Sequence, residues 1–192
     1  ASIMRITVLI DNNPDRDFSL HAEHGLSLYF EADGYKWLFD TGASDSFYKN
    51  AFRLGIDISA VDFLVLSHGH NDHTGGLERF LEFARPGIPL FANPDLFQTR
   101  FTRKDDSSNS IGLKLSQSQL SRFVDVRLNA GPVEILPGVW TTGEIADRSE
   151  SASACRIRWL AAIRQAVEAA LWEGWSLPAS RPSARIVPQF EG

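Results

Sequence analysis

Val61-Asp62-Phe63-Leu64-Val65-Leu66, running into Ser67-His68-Gly69-His70-Asn71-Asp72-His73-Thr74-Gly75-Gly76, is the stretch that decides the fold. Its first six residues are apolar apart from Asp62 and partly β-branched, and they read as a short buried strand. Beyond the glycines, Leu77, Phe80, Leu81 and Ala84 recur at helical spacing, with Glu78, Arg79 and Glu82 between them. Thr74 is the expected N-cap of that helix. The histidines therefore sit where a strand end turns into a helix, the position at which open α/β sheets place their chemistry.

Three of the chain's five histidines and one carboxylate fall between positions 68 and 73. Imidazole nitrogen and carboxylate oxygen are the usual ligands of zinc and similar divalent ions. His68 and His70 are two apart, so in extended chain both side chains project to one side. Asp72 and His73 follow after the chain has begun to turn and approach the same spot from another direction. Gly69, Gly75 and Gly76 remove side chains where backbone must pass close to a metal or its substrate. The alternative is a polar, histidine-rich turn without a ligand. At ordinary residue frequencies, however, this pattern arises by chance in roughly one chain of this length in several thousand. The metal reading prevails.

The HxHxDH arrangement of His68, His70, Asp72 and His73 after an apolar strand resembles that of the metallo-β-lactamase superfamily of metallohydrolases. The likeness extends upstream through Glu23-His24-Gly25-Leu26-Ser27, Leu38-Phe39-Asp40-Thr41-Gly42 and Leu54-Gly55-Ile56-Asp57. Downstream it reaches Pro137-Gly138-Val139-Trp140-Thr141-Thr142-Gly143-Glu144-Ile145, so that residues 4 to 147 are covered. The combination is most similar to the branch containing the methanopterin-pathway synthase, which joins a dihydropterin to a ribofuranosylaminobenzene phosphate.

The resemblance implies an α/β fold of the αβ/βα sandwich type, incomplete at its C-terminus. It implies two divalent ions in the complete family site, zinc foremost, with manganese or iron as alternatives. His68 and His70 would bind the first ion, Asp72 and His73 the second, and Asp72 would also orient the attacking water as its base. Asp40 is expected beneath the metals, holding ligands through hydrogen bonds; a turn-capping role is the alternative. His24 matches a His-Gly pattern of the branch, and both a cleft-facing and a surface position stay open for it. The implied activity is metal-dependent hydrolysis of an ester, lactone or phosphoester through a metal-bound hydroxide. A pterin transferase or synthase is one alternative, and a truncated metal-binding domain without turnover is another.

At 192 residues and 43% hydrophobic, the chain suffices for one globular domain with a core. A net charge of −5 provides no basic footprint, which argues against nucleic acid as a partner and leaves a small-molecule substrate. No apolar run reaches membrane-spanning length, and no basic-then-apolar leader opens the chain, so a cytoplasmic protein is expected. The single cysteine, Cys155, excludes an internal disulfide framework, and its spacing matches no metal motif.

In chain order, Arg5 to Ile10 reads as a first strand, Leu26 to Glu31 as a second and Tyr35 to Phe39 as a third, with Ala32-Asp33-Gly34 as the turn between the last two. Ser44 to Leu54 has helical period, and Pro89 to Ala92 is a further core strand. Gln98 to Gln119 is polar and reads as a solvated loop. The alternative has it overhang the cleft, with Arg100, Arg103 and Lys104 meeting a phosphate or carboxylate. Ser116 to Gln119 has capping-box spacing. Val124, Val126 and Leu128 alternate as a strand, and a hairpin is expected around Pro137-Gly138.

Histidine stops at His73 and aspartate at Asp147. The remaining family ligands, a further histidine, a bridging aspartate and a last histidine, have no counterpart. The expected division is a metallo-β-lactamase-like portion over 1–147 and a divergent helix and tail over 148–192. Loss of the reading frame near Glu144 to Glu150 is one explanation. A short variant that forms a homodimer to cover its open sheet face is the other.

Overall fold

The computed structural model describes residues 4–14, 19–32, 34–104 and 107–144. The expected C-terminal helix and tail, and Cys155 with them, lie outside the described residues. Strands β1 (Arg5–Ile10), β2 (Ser27–Ala32) and β3 (Tyr35–Phe39) form an antiparallel meander. Helix α1 (Ser46–Arg53) then leads through a 3₁₀ turn at Ile58–Ala60 to β4 (Phe63–Leu66), which lies parallel to β3. Two short helices follow, α2 (Asn71–Thr74) and α3 (Leu77–Leu81), and then β5 (Pro89–Ala92). The hairpin β6 (Phe101–Lys104) and β7 (Ser107–Ser110), helix α4 (Gln117–Leu120) and β8 (Asp125–Leu128) complete this part. The main sheet has the order β1-β2-β3-β4-β5-β8, parallel from β3 onward. A separate unit begins at Gly131, and its described part includes the hairpin β9 (Val133–Leu136) and β10 (Val139–Thr141).

Strand alternation gives the main sheet two apolar faces. One carries Tyr29, Leu38, Leu64, Leu66, Leu90 and Ala92, which pack with Phe47 and Ala51 of α1, Leu77 and Phe80 of α3 and Leu120 of α4. Leu38, Phe47, Leu64, Phe80, Leu90 and Leu120 have no exposed surface, which makes this the core. The opposite face carries an aromatic row. Trp37 stacks on Phe30 at 5.5 Å and on Phe63 at 4.3 Å, and Arg127 lies over Phe91. Apolar patterning on both faces is what a sheet covered on both sides shows. Among the described residues no helix is long and apolar enough to cross a membrane.

Three sequence expectations need correction. Thr74 does not cap the helix after it; it closes α2, its hydroxyl donating to the His70 carbonyl at 2.9 Å, and Gly76 holds the N-cap position of α3. The helix expected to run to Ala84 ends as a regular element at Leu81. The segment from Gln98 to Gln119 is not simply a solvated loop, since it contains β6 and β7 and pairs with the histidine stretch through a bridge between His70 and Gly112. The capping box is present, with Ser116 and Gln119 each bonding the other's backbone N–H.

Candidate metal centre

The parallel strands β3, β4 and β5 end side by side, and the residues that follow them build the site. Asp40, directly after β3, is its organising group. It is fully buried and adopts a left-handed conformation (φ +54°), unusual for a residue with a side chain. Its backbone N–H donates to the Val65 carbonyl of β4 at 2.9 Å, and the next N–H, of Thr41, donates to the His73 carbonyl at 2.8 Å. This aims the Asp40 carboxylate at the start of the histidine stretch. Oδ1 accepts from the Ser67 N–H at 2.8 Å, while Oδ2 accepts from the Ser67 hydroxyl at 2.6 Å and from His73 Nδ1 at 2.7 Å.

That network assigns the histidine tautomers. His73 Nδ1 carries the proton it donates to Asp40, which leaves Nε2 as the unprotonated ring nitrogen of the neutral imidazole, 3.5 Å from Asp72 Oδ2. The Ser67 hydroxyl donates to Asp40, so it accepts from His68 Nδ1 at 2.9 Å, which places the His68 ring proton on Nδ1. One buried carboxylate thus sets the direction of the His73 ring directly and of the His68 ring through Ser67. His68, Asp72 and His73 come together with ligand atoms within 4.8 Å of one another, all half-buried. The His70 ring stands edge-on to His68 at 4.6 Å, next to this group but outside it. His68 and His73 rings are 4.2 Å apart.

Electrostatics fit a site prepared for a cation. Burial alone lowers the His73 pKa, but its bond to Asp40 and the charges of Asp40 and Asp72 outweigh burial and raise it above the usual imidazole value. Burial raises the Asp40 carboxyl despite the opposing bonds from His73 and Ser67. His70 is lowered, by burial first and then by the nearby charge of Arg100 against the pull of Asp72. A donor set of imidazoles and a carboxylate, three of them within mutual reach, fits zinc or a similar ion with an open coordination position.

His24 does reach the site. Its Nε2 lies 3.3 Å from Asp72 Oδ2, and its Nδ1 lies 3.2 Å from the Asn12 side-chain nitrogen, although the ring is 77% exposed. The supporting contacts are less visible in sequence. Asn12 Oδ1 accepts the Gly25 N–H at 3.0 Å, and Glu23 accepts from the N–H groups of Ala43 and Ser44 and from the Ser44 hydroxyl. Asn50, fully buried, ties α1 to the carbonyls of Leu9 and His21. Gly25 presses so closely on Asp72 that a β-carbon there would stand 2.1 Å from the Asp72 carbonyl oxygen. Only Glu23 and Gly25 carried a signal, as neighbours of His24 in the Glu-His-Gly stretch.

The sequence model of the Metallo-beta-lactamase superfamily matches residues 22–160, well over half of the chain. The chain belongs to the metallo-β-lactamase superfamily. Among curated members, it is 28% identical over 154 residues to the 7,8-dihydropterin-6-methyl-4-(β-D-ribofuranosyl)-aminobenzene-5′-phosphate synthase of Methanocaldococcus jannaschii, covering 77% of this chain and 52% of that one. An uncharacterized protein of the same organism is 32% identical over 96 residues, covering 50% and 37%. The chain thus spans about half, or less, of these relatives' length. Among solved structures, a diphosphatase of the PhnP family aligns with 69% of this chain and 53% of its own at 19% identity and a TM-score of 0.43. The metallo-β-lactamase-fold protein YhfI from Bacillus subtilis aligns over 68% and 48% at 17% identity, also with a TM-score of 0.43.

Proposed function

We propose that this chain carries a divalent metal site, zinc foremost, and hydrolyses an ester, lactone or phosphoester of a small molecule there. One observation carries the reading: ligand atoms of His68, Asp72 and His73 lie within 4.8 Å of one another, with His73 oriented by the buried Asp40 and His68 by Ser67. His68, Asp72 and His73 would hold the ion, with His70 next to them. A bound divalent ion supplies Lewis-acid polarisation of the electrophile and a lowered pKa for the attacking water. The chain's own groups do the rest. Asp72 Oδ2 faces His24 and His73, and the Asp72 carboxylate would accept the proton of the attacking water. His24, braced by Asn12, fixes the Asp72 carboxylate from the solvent side. Asp40 and Ser67 keep both imidazoles in the ligating tautomer.

A second reading, transfer rather than hydrolysis, draws on the 28% identity to a pterin-linking synthase over 77% of this chain. Elemental analysis of the purified protein, beside a His68→Ala/His70→Ala double variant, tests the common core of both. One or two ions per chain, lost in the variant, is the expected result; wild-type protein without metal refutes both. Turnover of p-nitrophenyl acetate and bis(p-nitrophenyl) phosphate by metal-loaded protein, absent from the variant, then supports hydrolysis over transfer.

A further inference from the structure

Arg100 is a cation built into the rim of the metal site that the chemistry described so far leaves unused. It is half-buried, and its Nη1 lies 2.6 Å from where a β-carbon on Gly69 would stand. Gly69 is the residue between His68 and His70, so the guanidinium rests against the backbone of the ligand stretch itself. Its place is fixed from the main chain. The Arg100 carbonyl accepts the Ile111 N–H at 2.9 Å, and the Ile111 carbonyl accepts the Asn71 N–H at 2.8 Å, which joins Arg100 to the first residue of α2. The His70–Gly112 bridge continues the same contact.

A guanidinium presents five N–H donors in a planar fork suited to an oxyanion. Arg79, Arg85 and Arg127 spend theirs on Glu82, Asp62 and Asp125. Arg100, among the described residues, has no carboxylate partner, and its side chain makes one bond, to the Gln98 carbonyl at 3.2 Å. A half-buried cation held against a metal-ligand loop, with most of its donors unspent, is arranged for an anion that arrives from outside.

We propose that Arg100 recognises an oxyanion, a phosphate or carboxylate, that the substrate carries close to the reacting bond. This rests on the metal-site reading above and narrows it to anionic substrates. It also gives the segment from Gln98 to Ile111 a task, since its pairing with the histidine stretch places Arg100.

The test is equilibrium binding of inorganic phosphate and of acetate by titration calorimetry, with wild-type, Arg100→Lys, Arg100→Gln and Arg122→Gln full-length protein. Each is measured both metal-loaded and after EDTA treatment. Arg100→Gln is expected to weaken one of the two anions about ten- to a hundredfold in both states. Arg100→Lys should lose less, because the point charge survives without the fork, and Arg122→Gln should bind as wild type does. Loss confined to phosphate assigns a phosphorylated substrate; loss confined to acetate assigns a carboxylated one. Equal anion binding by wild type and Arg100→Gln, or no anion binding by metal-free wild type, overturns the proposal. Metal content is measured on the same samples. An absence of metal would sink the metal-site reading, while the EDTA-treated arm still decides the role of Arg100.

Discussion

Replacing Asp40 by Asn tests whether one buried carboxylate sets the ligating tautomers. Asn has nearly the same shape, and it is among the few residues that tolerate the left-handed backbone required at φ +54°. Its carbonyl oxygen can accept the Ser67 N–H as Oδ1 does now. Its NH₂ group, however, replaces Oδ2 and confronts two donors, the Ser67 hydroxyl and His73 Nδ1–H. The hydroxyl can turn to accept. The imidazole must shift its proton to Nε2, and the nitrogen that faced the metal loses its lone pair. Restoring the ligating tautomer would leave a buried N–H against an NH₂ group, at about 1–3 kcal/mol. That corresponds to roughly ten- to a hundredfold in metal affinity, the usual effect of losing a group that orients a ligand. Folding should change less, because the variant also removes a buried charge. The assay is competition against a chromophoric chelator, with circular dichroism as the control for folding and nitrogen-15 NMR reporting the His73 tautomer. A folded Asp40→Asn variant that binds metal within about threefold of wild type would refute the reasoning.

Metal affinity should rise as pH climbs from about 6.5 through the raised pKa of His73 and level off above it, because the ion displaces a proton from the ring; proton release measured in buffers of different ionisation enthalpy checks this. The same shift has the opposite sign for the metal-free chain. The His73–Asp40 bond stabilises it fully below about pH 6.5, and that contribution is lost as pH rises through the folded-state value, which thermal melts in EDTA will show. Gly25→Ala should both destabilise the protein and release the metal, since its β-carbon would meet the Asp72 carbonyl at 2.1 Å. Gly34→Ala, at φ +83° with nothing within 4 Å, should cost only the backbone term of about 1–2 kcal/mol in urea unfolding and leave metal binding intact. Trp37→Phe should keep the stacking on Phe30 and Phe63 while removing a buried indole N–H that has no hydrogen-bond partner among the described residues; the expected stability change is within ~1 kcal/mol, against about 3–5 kcal/mol for Trp37→Ala.

What sequence could reveal here followed the range of the encoding. β1 and β5 were legible to the residue, because β-branched and apolar runs bounded by turn residues suffice to mark them. The capping box at Ser116 is equally local. The cluster of His68, Asp72 and His73 was legible because its donors lie within six residues of one another, whereas His70, expected with them, stands outside it. Asp40 was legible only by resemblance, since nothing near it in the chain shows that Ser67 and His73 will surround it. Asn50 escaped entirely, and Glu23 was marked only as a neighbour of His24: each satisfies backbone groups twenty or more residues away, and no short-range pattern marks such a bond. The helix after Gly76 was overextended because helical period persists to Ala84, whereas regular helix geometry ends at Leu81. The pairing of Gly112 with His70 had no local signal either, and it is this pairing that brings Arg100 to the site.

The placement of Asp40 also couples the site to the stability of the fold. A carboxylate with no exposed surface, on a backbone conformation that costs about 1–3 kcal/mol, does not favour folding by itself. It is retained through the three hydrogen bonds it accepts, two of which hold Ser67 in place and one His73. In the metal-free state the carboxylate and the imidazole compensate through their hydrogen bond: burial raises Asp40 against the pull of His73, and the bond and charge of Asp40 raise His73 against its own burial. A cation on the far side of His73 can take over part of that compensation, because it favours the neutral Nδ1–H tautomer that Asp40 already selects. Metal binding and folding should therefore reinforce each other. At a free metal concentration a hundred times the dissociation constant, the folded state gains about 2.7 kcal/mol by mass action alone. Asp40→Asn, with affinity down ten- to a hundredfold, should lose about 1.3–2.3 kcal/mol of that gain at the same metal concentration while its metal-free stability stays near that of wild type.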